Sequence, residues 1–291
     1  MAESARDGAP RILAPAPHPA YISPMRRFIP FMKSPPTVSV IRLQGAISAG
    51  GRTGGGLNDA ALAPVIEKAF RKGKPRAVAL VINSPGGSPV QSSLIAARIR
   101  RLAEEKKIPV HAFVEDVAAS GGYWLACAAD DIWVDPSSVV GSIGVISASF
   151  GFPEFLGRHG IERRVHTAGA SKSFLDPFRP EKPEDVERLR RVLEPIHEGF
   201  KDHVRARRGT RLTADSDLFT GDIWVGAQAL EVGLADGIGH LVPKLKALYG
   251  DKVRLVPHGM KKPFLQRFSG RLLGGVADEI EERALWARYG L

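Results

Sequence analysis

Two short apolar runs leave this chain little freedom of fold class: RAVALVIN at residues 76–83 and IPVHAFVE at 108–115. Neither alternates apolar with polar side chains, as a half-solvated strand would. A strand of that kind is covered on both faces, the situation in parallel sheets whose crossover helices lie above and below. The segment between the runs supplies such a crossover, with the turn SPGG and then a helical pattern from about Pro89 to Glu105. The order strand, turn, helix, strand predicts βαβ connectivity and an α/β domain built on a mainly parallel sheet.

The flanking sequence extends the pattern. TVSVIRLQG (37–45) reads as a strand ending at glycine, SAGGRTGGGLND as a loop, and Leu57 to Phe70 as a helix. Beyond residue 120, DIWVDP, SIGVISASF and IERRVHTAG read as further short strands. Val186, Leu189, Val192, Leu193, Ile196, Phe200 and Val204 recur at spacings near three and four, which predicts a long amphipathic helix over 184–208, kinked at Pro195. GAQALEVGLADGIG (226–239) reads as a short helix closed by Gly233, then a strand or turn. No repeat with a period of 20 to 50 residues is present.

The ends differ from the middle. Residues 1–36 hold eight of the 22 prolines, which removes backbone donors and predicts an extended, poorly ordered arm. The main domain is then expected over 37–250, followed by a strand and helix extension over 251–291. Within that extension Phe264, Phe268, Leu272, Val276 and Ile280 fall four apart beside Lys261, Lys262, Arg267 and Arg271, a pattern suited to a membrane surface or to an interface. Gly270, Gly274 and Gly275 weaken it as a helix. The chain has no apolar core of signal-peptide type and no run of about 18 apolar residues, so the expected location is cytoplasmic, at most peripheral to an inner membrane.

Composition excludes several chemistries. Cys127 is the only cysteine, which rules out an intrachain disulfide, and the eight histidines lack metal-ligand spacing, so no metal site is expected. The formal charge of +10 favours acidic partners in general. The basic residues are interspersed with acidic ones and form no stripe interleaved with aromatics, so nucleic acid is not an expected partner.

Three glycine-bearing turns follow expected strands: NSPGGS (83–88), ASGGYW (119–124) and GSIGV (141–145). Glycine lets a backbone approach a ligand closely with its N–H groups turned outward, the requirement of an oxyanion hole. Ser120 sits at a strand-to-helix junction, where a hydroxyl serves as a helix N-cap or, with a base in reach, as a nucleophile. No histidine occurs from residue 112 to residue 158; His111 lies in the preceding strand, and His159 and His166 flank a strand without a recognisable supporting carboxylate. Lysine is the remaining base, and Lys172 lies among small and apolar residues. A free lysine has a pKa of about 10.4, and lowering it to roughly 7 or 8 costs about 3 to 5 kcal/mol of differential solvation. A dry pocket walled by Phe174 and Phe178 could impose that shift; a solvated surface lysine is the alternative. Cys127, seven positions beyond Ser120, is read as packing, while Trp124, Trp133 and Trp224 are either core residues or walls of apolar subsites.

INSPGGS, ASGGYW, GSIGVI, GASKSFLDPF and WVGAQALEVGLADGIG, in that order, resemble the signature blocks of the signal peptide peptidase SppA family of serine/lysine peptidases. The similarity spans about Thr37 to Leu248. It implies the fold shared by the Clp proteolytic subunit and the crotonases, with repeated ββα units, here as a single-copy short form. It implies Ser120 as nucleophile, Lys172 as general base, Ser142 as the hydroxyl supporting that lysine, and the Gly87 and Gly121 N–H groups as the oxyanion hole. No cofactor is implied. The resemblance also implies short or unfolded peptides as substrates, remnant signal peptides among them, and a homo-oligomeric ring or dome with serine and lysine contributed by different protomers. Two alternatives remain open: a crotonase-type enzyme acting on acyl-CoA without a nucleophilic serine, and an inactive peptide-binding scaffold.

Overall fold

The computed structural model describes residues 35–49, 56–169, 171–213, 217–259 and 283–290. The expected arm, apart from its last two residues, and the pattern over 264–280 lie outside them. The strands are β1 (Thr37–Gln44), β2 (Ala77–Ser84), β3 (Val110–Ala119), β4 (Asp131–Val134), β5 (Val139–Gly141), β6 (Ile223–Val225), β7 (Gly237–Ile238) and β8 (Arg254–His258). The helices are α1 (Asp59–Arg71), α2 (Pro89–Lys106), α3 (Gly121–Ala126), α4 (Pro153–Arg158), α5 (Pro183–Arg208), α6 (Ala227–Glu231) and α7 (Leu241–Tyr249).

All eight strands belong to one sheet whose path runs β6-β5-β3-β2-β1-β8, with β4 on β3 and β7 on β4. Every pairing is parallel except β5 with β6. The α/β class with a mainly parallel sheet is as the apolar runs predict. All eight residues of β2 are buried, and five of them divide by parity between two cores. Val78, Leu80 and Ile82 meet the side chains of α1 and α2, among them Ile66, Phe70, Ile95 and Ile99. The smaller Ala77 and Ala79 face the opposite side with Val38, Phe113 and Leu245 of α7. Strand alternation thus sends bulky residues to the two-helix face and alanines to the side where α7 packs close.

β3 forks. Its first half pairs with β4 through His111, Ala112 and Phe113, and its last residues, Val117 to Ala119, pair with β5. The register with β2 slips between Ile82 and Ser84, where the Asn83 side chain accepts from the Val117 N–H and donates to Asp116. A bulge of this kind bends the strand and re-aims its end.

Two strand expectations fail. SIGVISASF (142–150) forms no ladder: β5 ends at Gly141, Ser142 takes a positive φ of 50°, and its N–H donates to the Asp222 carbonyl, which turns the chain out of the sheet. IERRVHTAG (161–169) has no strand beside it among the described residues, and all its residues but Val165 are exposed, so apolar content alone could not make it a strand.

α5 runs 26 residues, through Pro195, and buries only Phe200, Val204 and Arg208. Its last turns grip α3. The Trp124 ring stacks on Phe200 at 4.8 Å and on His203 at 4.9 Å, and His203 Nε2 bonds to the Trp124 carbonyl at 3.1 Å. Arg207 donates to the carbonyls of Cys127 and Ala129. Arg208, with its side chain 2% exposed, forms a two-pronged pair with Asp236, whose carboxylate also accepts from the Ile132 N–H.

Removing one partner of a buried ion pair removes what offsets the burial of the other, and without Arg208 the Asp236 carboxylate keeps only the longer contact to Arg211, at 3.3 Å, as its charged partner. Arg208→Ala is expected to lose about 3 to 5 kcal/mol of stability, read from the midpoint of denaturant unfolding. Burial lowers the pKa of His203 from 6.5 to about 4, so the folded state resists its protonation while the unfolded chain accepts it. That contribution is complete above pH 6.5 and is lost as pH falls toward 4, by roughly 2 to 3 kcal/mol. Unfolding at pH 7 and pH 4.5 should show a loss in the parent that is smaller by this amount in His203→Gln.

Candidate active site

The C-terminal ends of β2, β3 and β5 lie side by side, the edge of a parallel sheet where the connections leave room for ligands. Each end carries one of the glycine turns. From β2 the chain passes through Ser84, Pro85, Gly86 and Gly87 to Ser88, which caps α2. From β3 it passes through Ser120 directly into α3, and from β5 through Gly141 into Ser142.

Ser120 has φ 51° and ψ −121°, a conformation a residue with a side chain adopts only when its surroundings enforce it. Its N–H donates to the Gly141 carbonyl at 2.8 Å, and its own carbonyl accepts from Tyr123 and Trp124. The hydroxyl makes no cap bond to α3 and no hydrogen bond among the described residues. Ser120 stands at the N-cap position without using its side chain as one.

The SPGG turn is built around this serine. Gly86, at φ 101°, lies so near that an added Cβ would meet the Ala119 carbonyl, the Gly121 nitrogen and the Ser120 Cβ, each at 2.8 Å. A Cβ on Gly87, at φ 137°, would fall onto the Ile47 carbonyl oxygen, which the Ser88 N–H uses as acceptor. Gly121 is equally confined by Ser92, and its added Cβ would lie 3.4 Å from the Gly87 nitrogen. The amides of Gly87 and Gly121 therefore approach each other beside Ser120, and no hydrogen bond among the described residues engages either N–H.

Ser120, Gly87, Gly121 and Ser142 line one cavity of about 1010 Å³. Ile47, Trp124, Val145, Ile146, Ile196 and Phe200 give it apolar walls. The structure thus gathers four of the five expected site residues. Lys172 is not among the lining residues; it lies in the exposed turn at 171–175, on the excursion that leaves the sheet after β5. Phe174 and Phe178 are 38% and 39% exposed, so they make no dry pocket for Lys172 within the chain. Phe150, Phe152 and Phe155 are exposed on the same excursion.

Two features had no part in the sequence reading. His197 of α5 lines the cavity, and its Nε2 bonds to the Ile143 carbonyl at 3.2 Å. Residues 283–290 supply another wall through Leu285, Arg288 and Tyr289, and the Tyr289 hydroxyl donates to Ser142 Oγ at 3.3 Å. The other histidines are elsewhere: His111 is buried between Asp131 and Tyr249, and His159 and His166 are exposed. Trp124 lines the cavity, whereas Trp133 packs on Gly237 and under Lys244, and Trp224 covers Gly141. Cys127 is buried, and burial pushes its thiol pKa up to about 12, as suits a packing residue. Among the described residues no three His, Cys, Asp or Glu side chains gather as a metal site, and no helix is long and apolar enough to cross a membrane.

Residues 102–249, just over half the chain, match the model of peptidase family S49. The chain is 32% identical over 212 residues to the chloroplastic serine protease SPPA of Arabidopsis thaliana, covering 70% of this chain and 31% of that protein. A Synechocystis protein with a protease name, slr0021, is 30% identical over 264 residues, 87% of this chain and 92% of that one. A Brucella melitensis protein named Na(+)/H(+) antiporter NhaA is 49% identical over 286 residues, 92% of this chain. The match occupies 39% of the Brucella protein, so this chain spans about two-fifths of that relative's length and the ion exchange in its name is not carried over.

The strained backbone of Ser120 makes a stability prediction independent of any activity. Glycine adopts φ 51°, ψ −121° without the steric cost of a Cβ. Ser120→Gly should match or exceed the parent in thermal stability by up to about 1 kcal/mol, while Ser120→Ala retains the strain. Calorimetric unfolding of the three proteins checks this order.

Proposed function

This chain belongs to peptidase family S49, and from that premise we propose that it is a serine endopeptidase in which Ser120 attacks the peptide carbonyl and Lys172 of a neighbouring copy is the base. The observation that carries the reading is the conformation of Ser120: a strained serine at a cavity edge, its hydroxyl without a partner among the described residues, beside two amides that no described residue engages. A helix-capping serine has no need of that strain, and acyl-CoA chemistry without a nucleophile has no need of that hydroxyl.

In the proposed reaction a neutral lysine amine accepts the Ser120 proton as Oγ bonds to the carbonyl carbon. The Gly87 and Gly121 N–H groups donate to the oxyanion, where charge develops. Collapse breaks the C–N bond, and the proton passes from the ammonium to the leaving amine. Water then attacks the ester carbon and gives a proton to the same amine; the C–Oγ bond breaks, the acid product leaves, and the ammonium returns the proton to Ser120 Oγ. The cavity, with apolar walls beside polar groups, suits an extended segment of a short or unfolded peptide, a class that includes remnant signal peptides.

The need for a neighbour follows from the position of Lys172. In its own chain it is exposed and outside the Ser120 cavity, which supplies neither the reach nor the desolvation that a lysine base requires. The phenylalanines exposed on the same excursion are an apolar surface that a second copy would cover, and burial there would remove water from the lysine. Assembly into a ring or dome satisfies both requirements.

His197 supports a second reading. Among the described residues it is the one imidazole lining the cavity, and with Nε2–H donating to the Ile143 carbonyl its Nδ1 is the acceptor nitrogen. In that reading the base belongs to the same chain as the nucleophile.

A fluorophosphonate probe should label Ser120 in the parent and fail with Ser120→Ala. Ser120→Ala and Lys172→Ala should each lose at least about a thousandfold in peptide hydrolysis. Mixed after subunit exchange, the two inactive proteins should regain activity, because some sites then combine an intact serine with an intact lysine. Full activity in Lys172→Ala together with an inactive His197→Gln would overturn the lysine assignment in favour of the histidine. Absence of labelling at Ser120 would overturn both.

A further inference from the structure

We propose that Arg288 is a specificity-determining residue that binds a carboxylate of the peptide occupying the Ser120 cavity. The peptide nature of the ligand rests on the peptidase reading above; the anion preference rests on the cavity itself.

Charge is distributed unevenly around that cavity. No aspartate or glutamate lines it, and Arg288 is its one permanently charged lining residue among those described. Elsewhere in the chain arginines at structural positions are answered by carboxylates: Arg98 by Asp59 and Glu67, Arg100 by Asp130 and Glu104, Arg208 by Asp236. Arg288 has no ion pair or hydrogen bond among the described residues. A guanidinium presents five N–H donors in a planar fork matched to a carboxylate, and it cannot lose its charge near neutral pH.

The segment that carries Arg288 is attached to the site. Tyr289 donates to Ser142 Oγ, and Leu285 contributes apolar wall on the same side of the segment's single turn of helix. The guanidinium therefore shares one cavity with Ser120, whose walls of Ile47, Trp124, Ile196 and Phe200 exclude water from part of its circumference. Low-dielectric walls strengthen a positive charge that no described carboxylate opposes and focus its field into the space a substrate would fill. A neutral extended peptide leaves that charge unanswered; one bearing a carboxylate within reach answers it. The carboxylate has two sources, the free C-terminus of a short peptide or an acidic side chain near the cleaved bond.

The test uses one fluorescein-labelled, alanine- and leucine-rich hexapeptide in four forms: a free C-terminal acid or an amide, each with Glu or Gln at one internal position. Binding is measured by anisotropy on the full chain carrying Ser120→Ala, so the outcome does not depend on turnover, and hydrolysis is measured on the active chain. The expected result is about tenfold tighter binding of at least one carboxylate form than of the amide–Gln form. The preference should weaken as salt is raised. The acid–amide comparison identifies a C-terminal carboxylate and the Glu–Gln comparison an acidic side chain. In Arg288→Gln the ratio should fall to about one, and in Arg288→Lys it should be partly kept. Equal affinity for all four forms, absence of binding, or a preference that survives Arg288→Gln overturns the proposal. Binding with the expected preference but no hydrolysis by the active chain would overturn the peptidase reading and leave the carboxylate site standing.

Discussion

The backbone of Ser120 is held where serine does not rest on its own, and the surrounding architecture is arranged around that constraint. The hold comes from three strand ends. β5 supplies the Gly141 carbonyl that fixes the Ser120 N–H, β3 delivers the serine without an intervening loop, and β2 delivers a turn with no side chain to collide with it. Parallel pairing makes the arrangement feasible, because it places the C-terminal ends of neighbouring strands together, with each following helix leading away. The bulge opposite Asn83 bends β3 toward β5 after it has served β4, so one strand supports both the core and the site.

Much of this was legible in the sequence, for reasons that can be stated residue by residue. RAVALVIN could only be a strand covered on both faces, and its parity pattern, alanines against larger residues, matches the unequal closeness of the packing on its two sides. Gly86 and Gly87 follow it because two consecutive residues must lie beside Ser120 and Ile47 with no Cβ. The periodicity of 184–208 marked α5 correctly, since a helix needs only local spacing to declare itself. SIGVISASF and IERRVHTAG misled because apolar content reports burial in general, and neither segment has a neighbouring strand to bury it.

The site was half legible. Ser120, Gly87, Gly121 and Ser142 meet because they end adjacent strands, and a glycine turn after a strand is visible locally. Lys172 stands apart because the excursion after Ser142 leaves the sheet, and its exposed phenylalanines give no intramolecular reason for the lysine to be dry. His197 had no sequence signal beyond its place on an amphipathic helix, since its bond to Ile143 joins residues 54 apart in the chain. Arg288 was less visible still, for its place in the cavity and the want of carboxylates among the described lining residues are features of the fold, not of the local sequence.

The glycine turns also reverse the usual geography of mutational tolerance. In most domains connections absorb substitutions that the interior refuses. Here a single methyl group at Gly86, Gly87, Gly121 or Gly122 would run into backbone or a neighbouring hydroxyl, while Arg254 and Pro257 of β8 and the surface face of α1 border open solvent. A saturation library of this chain would therefore be depleted most deeply in the connection after β2 and in the first turn of α3, and a census of surviving variants would outline the site more sharply than it outlines the core.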